Sequence, residues 1–536
     1  QYGTNTQATM FPGYQVPEII KTWPAHGNVS LGQDYYLAPF YDFNNDGHYN
    51  WQDGDYPWYD IKGDKQCSID RDVSLYGDKN FWWVMNDKGN IHTETGADPI
   101  GMEIRAQAFA FASNDEVNNM TFYNYVLINR GTQTLYNTYF GFFTDGALGD
   151  PYDDYVGCDV MRGLGYYYNG DNFDGDNSGF KGYGYSPPAV GVDFFEGPYQ
   201  DDDGIDNAYG IGINEALNGI GYGDGIIDNE RFGMRRFLYY SNTTNGANIN
   251  QTDPISASDY YNYLRGFWKD GTKFVYGGNG HISDPEADPN TPCDFMFPGT
   301  SDVMGWGTGG VIKPNWTEQT ANNTPNDRRF VESAGPFVLK PGAVNNITVG
   351  VVWARSNGGD PFTSVETLRR ADDKAQALFE NCFKVMDAPH APELEIQELN
   401  NELILYLSNP ANSNNYNEKY EEIDPFIVSA NPNADKTFRF QGYQIFQLAN
   451  NQVSVSDLSN PLKARLVAQC DIKDNISRII NFEFDEELGF SVPRERVDGE
   501  NKGIRHSFRV NNDLFAQGQS KFCLLYTSPS PRDATL

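Results

Sequence analysis

The sequence is poor in positive charge, in long apolar runs and in cysteine, and each shortage excludes a class of function. Lys and Arg number 39 against 73 Asp and Glu, a net charge of −34. Nucleic acid and anionic membrane surfaces are therefore excluded as natural partners. The longest apolar stretches, such as Ile347–Ala354, fall far short of the ~20 residues a membrane-spanning helix needs, so no helical membrane insertion is expected. Six cysteines, Cys67, Cys158, Cys293, Cys382, Cys470 and Cys523, are scattered along 536 residues. None forms a CxxC or a Cys/His cluster, which excludes zinc-ribbon, c-type haem and dithiol redox sites. Such spacing reads chiefly as buried small hydrophobes. Export would allow one or two disulfides, with pairing left open.

Catalytic signatures are also scarce. His26, His48, His92, His281, His390 and His506 stand apart, without an HExxH pair. There is no GxSxG elbow, P-loop or dinucleotide fingerprint, and Gly175–Gly179 resembles a serine-protease loop only superficially. The reading leans away from an enzyme and assigns no catalytic residue. With 73 acids, a carboxylate pair at glycosidase spacing stays open. Trp82, Trp83, Tyr166, Tyr167, Tyr168, Phe267 and Trp268 would suit sugar stacking, although core packing is the commoner role of such residues.

What the chain has in quantity is aromatic residues (15 %), 54 Gly and 29 Pro. Period-two alternation over Met102–Ala110, Met120–Asn129 and Leu135–Phe143 predicts strands, the last two separated by the turn Arg130–Gln133. Phe337–Leu339, Lys340-Pro341-Gly342 and Ile347–Ala354 read as strand, turn and strand. The predicted fold class is mainly β: a multi-domain β-sandwich architecture with long acidic Gly/Asn-rich loops. One helix is predicted over 363–386, opened by a Thr363/Glu366 capping box. It carries Val365, Leu368, Ala371, Ala375, Leu378 and Cys382 on one face. The expected division is an N-terminal segment 1–100, a sandwich core 101–387, a Pro-rich linker 388–392 and a domain over 393–522. There Leu394/Ile396, Leu403/Leu405/Leu407, Tyr443/Ile445, Leu466/Ala468/Cys470, Phe482/Phe484 and Phe508/Val510 supply short strands behind a Pro-led opening, and the domain resembles a fibronectin type III or Ig-like sandwich with a polar insertion around 409–436. Residues 523–536 read as translated sequencing-adaptor sequence, with the natural protein expected to continue beyond Lys521. The start at Gln1, without a hydrophobic leader, fits a mature secreted chain after signal-peptide removal.

The acid is concentrated. Asp42, Asn44, Asp46, His48, Asn50 and Asp53 occupy positions 1, 3, 5, 7, 9 and 12 of a calcium-type loop, with Gly47 at position 6. That spacing wraps oxygen donors around a hard cation, His48 offering only its carbonyl. Asp53 stands where a bidentate Glu is usual, as in dockerin-like and thrombospondin-type loops, which this segment resembles. Weaker candidates are Asp145, Asp150, Asp153, Asp154 and Asp159; then Asp171, Asp174 and Asp176; then Asp201, Asp203, Asp206, Asp224, Asp228 and Glu230. The windows 42–60, 145–159, 171–176 and 201–230 hold 21 acids and no Lys or Arg, leaving 52 acids against 39 bases elsewhere. Bound Ca2+ explains such local crowding better than a uniformly acidic surface does.

Four segments, Asp42–Pro57, Asn114–Asp159, Tyr222–Arg236 and Arg328–Arg355, resemble a group of large secreted proteins of Bacteroidota-type bacteria, many exported by the type IX secretion system. The resemblance spans roughly residues 30–385. It implies a β-rich architecture and an extracellular or outer-surface location in a Gram-negative cell. The functional expectation is a non-enzymatic, calcium-stabilised protein for adhesion or extracellular assembly, including self-assembly or contact with other surface proteins. The alternative is a carbohydrate-binding or glycan-degrading surface protein.

Overall fold

The computed structural model describes residues 15–58, 77–112, 116–210, 219–242, 248–383, 389–399, 402–423, 435–451, 453, 458, 460–485 and 490–516. The chain divides into two compact units, residues 1–384 and 385–536.

The first unit is built on ten main strands: β1 (Lys79–Asn86), β2 (Met102–Ala110), β3 (Met120–Asn129), β4 (Leu135–Asp145), β5 (Asp154–Asp159), β6 (Leu164–Asn169), β7 (Ala189–Glu196), β8 (Arg236–Ser241), β9 (Arg328–Leu339) and β10 (Val344–Ala354). Seven of them form one sheet in the order β1-β2-β3-β10-β7-β6-β5, and β8-β9-β4 form a second. Every pairing in the two sheets is antiparallel. The alternation expected over Met102–Ala110 and Met120–Asn129 coincides with β2 and β3. β4 and β9 run longer than the sequence suggested, because their mutual pairing carries both past the apolar stretch, to Asp145 opposite Arg329.

Period two sorts the side chains of the large sheet between two cores. Tyr167, Val192, Phe194, Ile347 and Val349 are buried with Phe237, Phe330 and Phe337 of the smaller sheet. The Tyr167–Phe330 centroids lie 4.9 Å apart and the Phe237–Phe330 centroids 5.2 Å. The opposite face of the large sheet takes the long helix, and a short helix lies against the smaller sheet. The short helix, α1 (Ala257–Leu264), contacts β9 and β4, whereas the long α2 (Pro361–Glu380) packs on β10, β7 and β6. Val365, Leu368, Ala371, Ala375 and Leu378 are buried, as their spacing predicts. Gly191 lets the helix come close, since a Cβ there would sit 3.1 Å from Leu368 Cδ2. Phe379 stacks on Phe195 of β7 at 5.7 Å.

Two expectations about this helix are corrected. The cap is Asp360, whose carboxylate accepts the Thr363 N–H at 3.1 Å. Pro361 occupies the first turn, where its missing N–H costs nothing. Thr363 is therefore inside the helix. The helix also stops at Glu380, because Cys382 and Phe383 turn to positive φ (57° and 54°). Residues 384–388 of the expected helix end and linker lie outside the described residues. Cys382 is disulfide-bonded, whereas Cys158, Cys293 and Cys470 are free and buried. Cys67 and Cys523 lie outside the described residues.

The second unit carries β11 (Glu393–Leu399), β12 (Glu402–Ser408), β13 (Glu421–Ile423), β14 (Thr437–Arg439), β15 (Gly442–Leu448), β16 (Ala464–Asp471), β17 (Arg478–Asp485), β18 (Phe490–Asp498) and β19 (Ser507–Val510). A three-stranded sheet runs β11-β12-β19, beside the hairpins β13–β14, β15–β16 and β17–β18. Placing a late strand next to the second is the non-sequential pairing used by Greek-key sandwiches. Leu403, Leu405, Leu407, Tyr443, Cys470, Phe508 and Val510 form its core. Within the expected 409–436 insertion, β13 pairs with β14, which directly follows it, and 424–434 lie outside the described residues.

Candidate calcium centres in the acidic loops

The loop 42–53 folds back on its own backbone. Asp42 accepts N–H bonds from Asp46 (3.2 Å) and Gly47 (2.7 Å), and Asn44 Oδ1 accepts from Asp46 at 3.1 Å. Gly47 supplies the required φ of +77°. The carboxylate of Asp46 accepts the His48 N–H at 2.7 Å, which holds its pKa below the ordinary carboxylate value. Asp42, Asn44 and Asp46 thus gather at one turn, while Asn50 Nδ2 donates to Asp53 at 2.6 Å. The His48 ring meets the Tyr35 hydroxyl instead of the loop. Sequence reading missed Asp55. It is wholly buried and accepts N–H bonds from Phe43 (2.9 Å) and Asn50 (2.8 Å), tying the two ends of the loop together. Its signal was the second acid of Asp53-Gly54-Asp55, just past the twelve-residue pattern.

The windows 145–159 and 171–176 form one cluster in space. β5 and β6 pair so that Asp154 lies opposite Asn169, and both residues are wholly buried. Asp150 caps the short turn Pro151–Asp153 that leads into β5. Asp174 accepts N–H bonds from Asp150 (3.0 Å) and Tyr183 (2.7 Å), and Asp154 accepts from Leu148 at 3.1 Å. Asp171 Oδ1 accepts from Phe173 at 2.8 Å. Three buried oxygens in this group, Oδ1 of Asp153, of Asp154 and of Asn169, have no hydrogen-bond partner. Burial pushes the Asp153 carboxyl up to about 7, and the charges of Asp174 and Asp150 add to the effect. Burial likewise drives Asp154 well above its ordinary value. Buried acid oxygens without partners are costly unless a proton, water or cation satisfies them.

Three expected ligands stay outside this cluster because each has a cation of its own. Asp145 pairs with Arg329 at 3.2 Å, and Asp176 pairs with Lys181. Asp159, at the far end of β5, is held by Arg162 (3.1 Å) and Arg369 (2.9 Å). Asn169 was the residue that sequence reading missed, since an amide at a strand end carries no signal until the hairpin register places it.

The two related pieces of the 201–230 loop come together. Asp228 accepts the Gly204 N–H at 2.8 Å, Glu230 accepts from Asn207, and Asp206 accepts from Gly223 (2.7 Å) and Gly225 (2.8 Å). Asp203 and Asp224 close turns locally, onto Ile205 and Ile226. Burial raises the Asp201 carboxyl, and Asp203, Glu230 and Asp228 add to the shift. Asp201, Asp203, Asp228 and Glu230 therefore converge from both pieces. Residues 211–218, between them, lie outside the described residues.

Among the described residues, no three His, Cys, Asp or Glu side chains stand at metal-ligating spacing. Calcium draws much of its shell from amide and backbone oxygens and from water, which widens the donor set of these loops. The residues present fit a hard cation: oxygen donors throughout, and orphaned buried oxygens in the Asp153/Asp154/Asn169 group.

Two groups of side chains outside the acidic loops already have local structural roles. His281 Nδ1 lies 2.7 Å from Ser283 Oγ, and Nε2 lies 3.0 Å from Asp270. The Ser283 N–H reaches the same Nδ1 at 3.1 Å, so the ring closes a local turn. A serine triad instead needs a freely standing nucleophile beside oxyanion donors. A cavity of about 440 Å³ beside Tyr276 and Phe295 contains Asp302, whose carboxylate already accepts the N–H groups of Trp306 and Gly307. Tyr166, Tyr167, Tyr168 and Trp268 are core residues. No protein-family model matches the chain, and no curated protein matches it.

Proposed function

We propose that this chain is a non-enzymatic, calcium-stabilised protein of the cell surface or extracellular space, serving adhesion or structural assembly. The observation that carries the reading is the set of partnerless buried oxygens of Asp153, Asp154 and Asn169 amid further carboxylates. Ca2+ held there by Asp150, Asp153, Asp154, Asn169 and Asp174 would neutralise their repulsion and satisfy the orphaned atoms. The loops around Asp42–Asp53 and Asp201–Glu230 gain in the same way. Export agrees with the disulfide at Cys382, because such bonds persist in oxidising compartments. It also agrees with the resemblance to type IX secretion cargo.

The test is thermal unfolding of the full chain in excess Ca2+ and in excess chelator. Saturation at about 100 times Kd contributes roughly 2.7 kcal/mol per site, which for a unit of this size is a Tm difference of roughly 3 °C per site. Melting curves that superimpose in the two buffers would sink the proposal.

A further inference from the structure

The hairpin over residues 171–186 presents acid to the protein and aromatic rings to solvent. Its short ladder sets Phe173 opposite Tyr185 and Asp174 opposite Gly184. Alternation along the strand turns Asp174 inward, where it is buried among the acids described above. Phe173 and Tyr185 stand outward on the same face, 50 % and 75 % exposed, with their ring centroids 4.8 Å apart. A second exposed ring pair is tied to the same acids. Tyr152 lies in the turn capped by Asp150, and Phe180 bridges to Asn177, whose amide donates to Asp150 at 2.8 Å. The Tyr152 and Phe180 centroids are 6.4 Å apart.

The backbone beneath these rings is held from two sides. Arg355, just past β10, donates to the carbonyls of Tyr183 (2.9 Å), Tyr185 (3.0 Å) and Ser186 (2.8 Å). From the other side Asp174 accepts the Tyr183 N–H at 2.7 Å. Rings on a fixed backbone are preorganised, which lowers the entropy cost of binding. The chemistry of the surface narrows the ligand. Residues 171–186 contain four aromatic residues and no Ala, Val, Leu, Ile or Met. Exposed Asp171, Asn172, Ser178 and Lys181 place hydrogen-bonding groups among the rings. A pyranose matches that mixture, with a face of C–H groups for the rings and a rim of hydroxyls for the polar side chains. Three acids against one lysine in the segment disfavour an anionic ligand.

We propose that Phe173 and Tyr185 form a saccharide-binding platform that takes a neutral pyranose unit of a polysaccharide. The C–H face of the sugar stacks on the two rings, and its hydroxyls reach the polar side chains around them. The proposal rests on the adhesion reading above and deepens it by naming the surface and the class of ligand. Asp174 belongs both to the hairpin and to the acidic group, so Ca2+ held by that group also steadies the platform.

The test is affinity electrophoresis of the full chain through gels containing a neutral glucan, mannan or galactan, with their carboxymethyl derivatives as anionic controls. Each gel is run in Ca2+ and in chelator. At least one neutral polysaccharide retards the parent in Ca2+. Tyr185→Ala or Phe173→Ala weakens that binding roughly tenfold, the worth of one ring contact. Tyr185→Phe keeps the ring and retains binding, and thermal melts of all three variants follow the parent's. Absence of retardation by every neutral polysaccharide overturns the proposal, as does retardation that survives both Ala substitutions or that only the anionic derivatives produce. Sedimentation velocity covers the other occupant: a dimer that Tyr185→Ala abolishes, without retardation in any gel, assigns the rings to a second copy and also overturns it. Ring-dependent retardation with superimposable melts in Ca2+ and chelator leaves the platform standing and removes the calcium reading. A calcium-dependent melt without retardation does the reverse.

Discussion

Gly149 shows how one residue decides whether an acidic loop can close. Its φ is +76°, and a Cβ there would fall 1.8 Å from Asp174 Oδ2. Gly149→Ala must therefore strain the backbone and displace a carboxylate of the proposed calcium cluster. The expected cost is roughly 1–2 kcal/mol from the left-handed backbone alone. The fall in Tm should be larger in Ca2+ than in chelator; equal falls in both buffers would detach Asp174 from the cation. A second residue-scale effect concerns Asp193 on β7 and Asp372 on α2, which are hydrogen-bonded to each other and fully buried. Burial raises both carboxyls well above their ordinary value, and each feels other acids: Asp159 both, Glu332 chiefly Asp193, and Asp373 chiefly Asp372. Arg162 opposes the shift at Asp372. The folded state thus keeps protons that the unfolded chain releases, and stability falls as pH rises above the unfolded carboxyl pKa. Asp372→Asn removes one of these titrations. Its Tm relative to the parent should climb steadily between pH 5 and pH 9, as read by thermal melts across that range; a flat difference would mean that the pair does not hold its proton.

At the scale of elements, α2 is where propensity and packing agree. Five of the six apolar positions read from spacing are buried on the helix that packs against β10, β7 and β6, the sixth, Cys382, falling past its end, so Leu368→Ala should cost about 2–5 kcal/mol. The cap is a smaller term. Asp360→Ala removes an exposed acceptor for the Thr363 N–H and should cost about 1 kcal/mol. Urea titration of both variants checks the ranking, and a cap loss as large as the core loss would contradict it. The start was misplaced because Thr363 and Glu366 also satisfy the capping-box pattern. Asp360 with Pro361 prevails because that pair caps the helix while filling its first turn. The strands were legible wherever one face met a core. Ends set by cross-strand partners, as in β4 and β9, were not, since pairing depends on residues nearly two hundred positions away.

At the scale of the whole molecule, the acid excess separates into two kinds. Some carboxylates close their own turns on backbone N–H groups, as Asp42, Asp203 and Asp224 do. Others crowd together when distant pieces meet, as in Asp153/Asp154/Asp174 and Asp201/Asp228/Glu230. Repulsion in the second kind grows as salt falls, because screening weakens. The melting shift between Ca2+ and chelator should accordingly be larger at 20 mM than at 500 mM NaCl. A shift independent of salt would point to a local turn effect instead of charge neutralisation.

The sequence by itself determined the β class, the apolar stripe of α2, the calcium-type spacing of residues 42–53 and the gathering of acid into a few loops. These are local patterns, set by side-chain period and composition within about a dozen residues. Only the tertiary structure decided which acids share a cluster. Hairpin register brought Asp154 to Asn169, and nearby arginines and a lysine claimed Asp145, Asp159 and Asp176. Charge and hydrogen-bond partners depend on distance in space, and the chain order of these residues does not encode that distance.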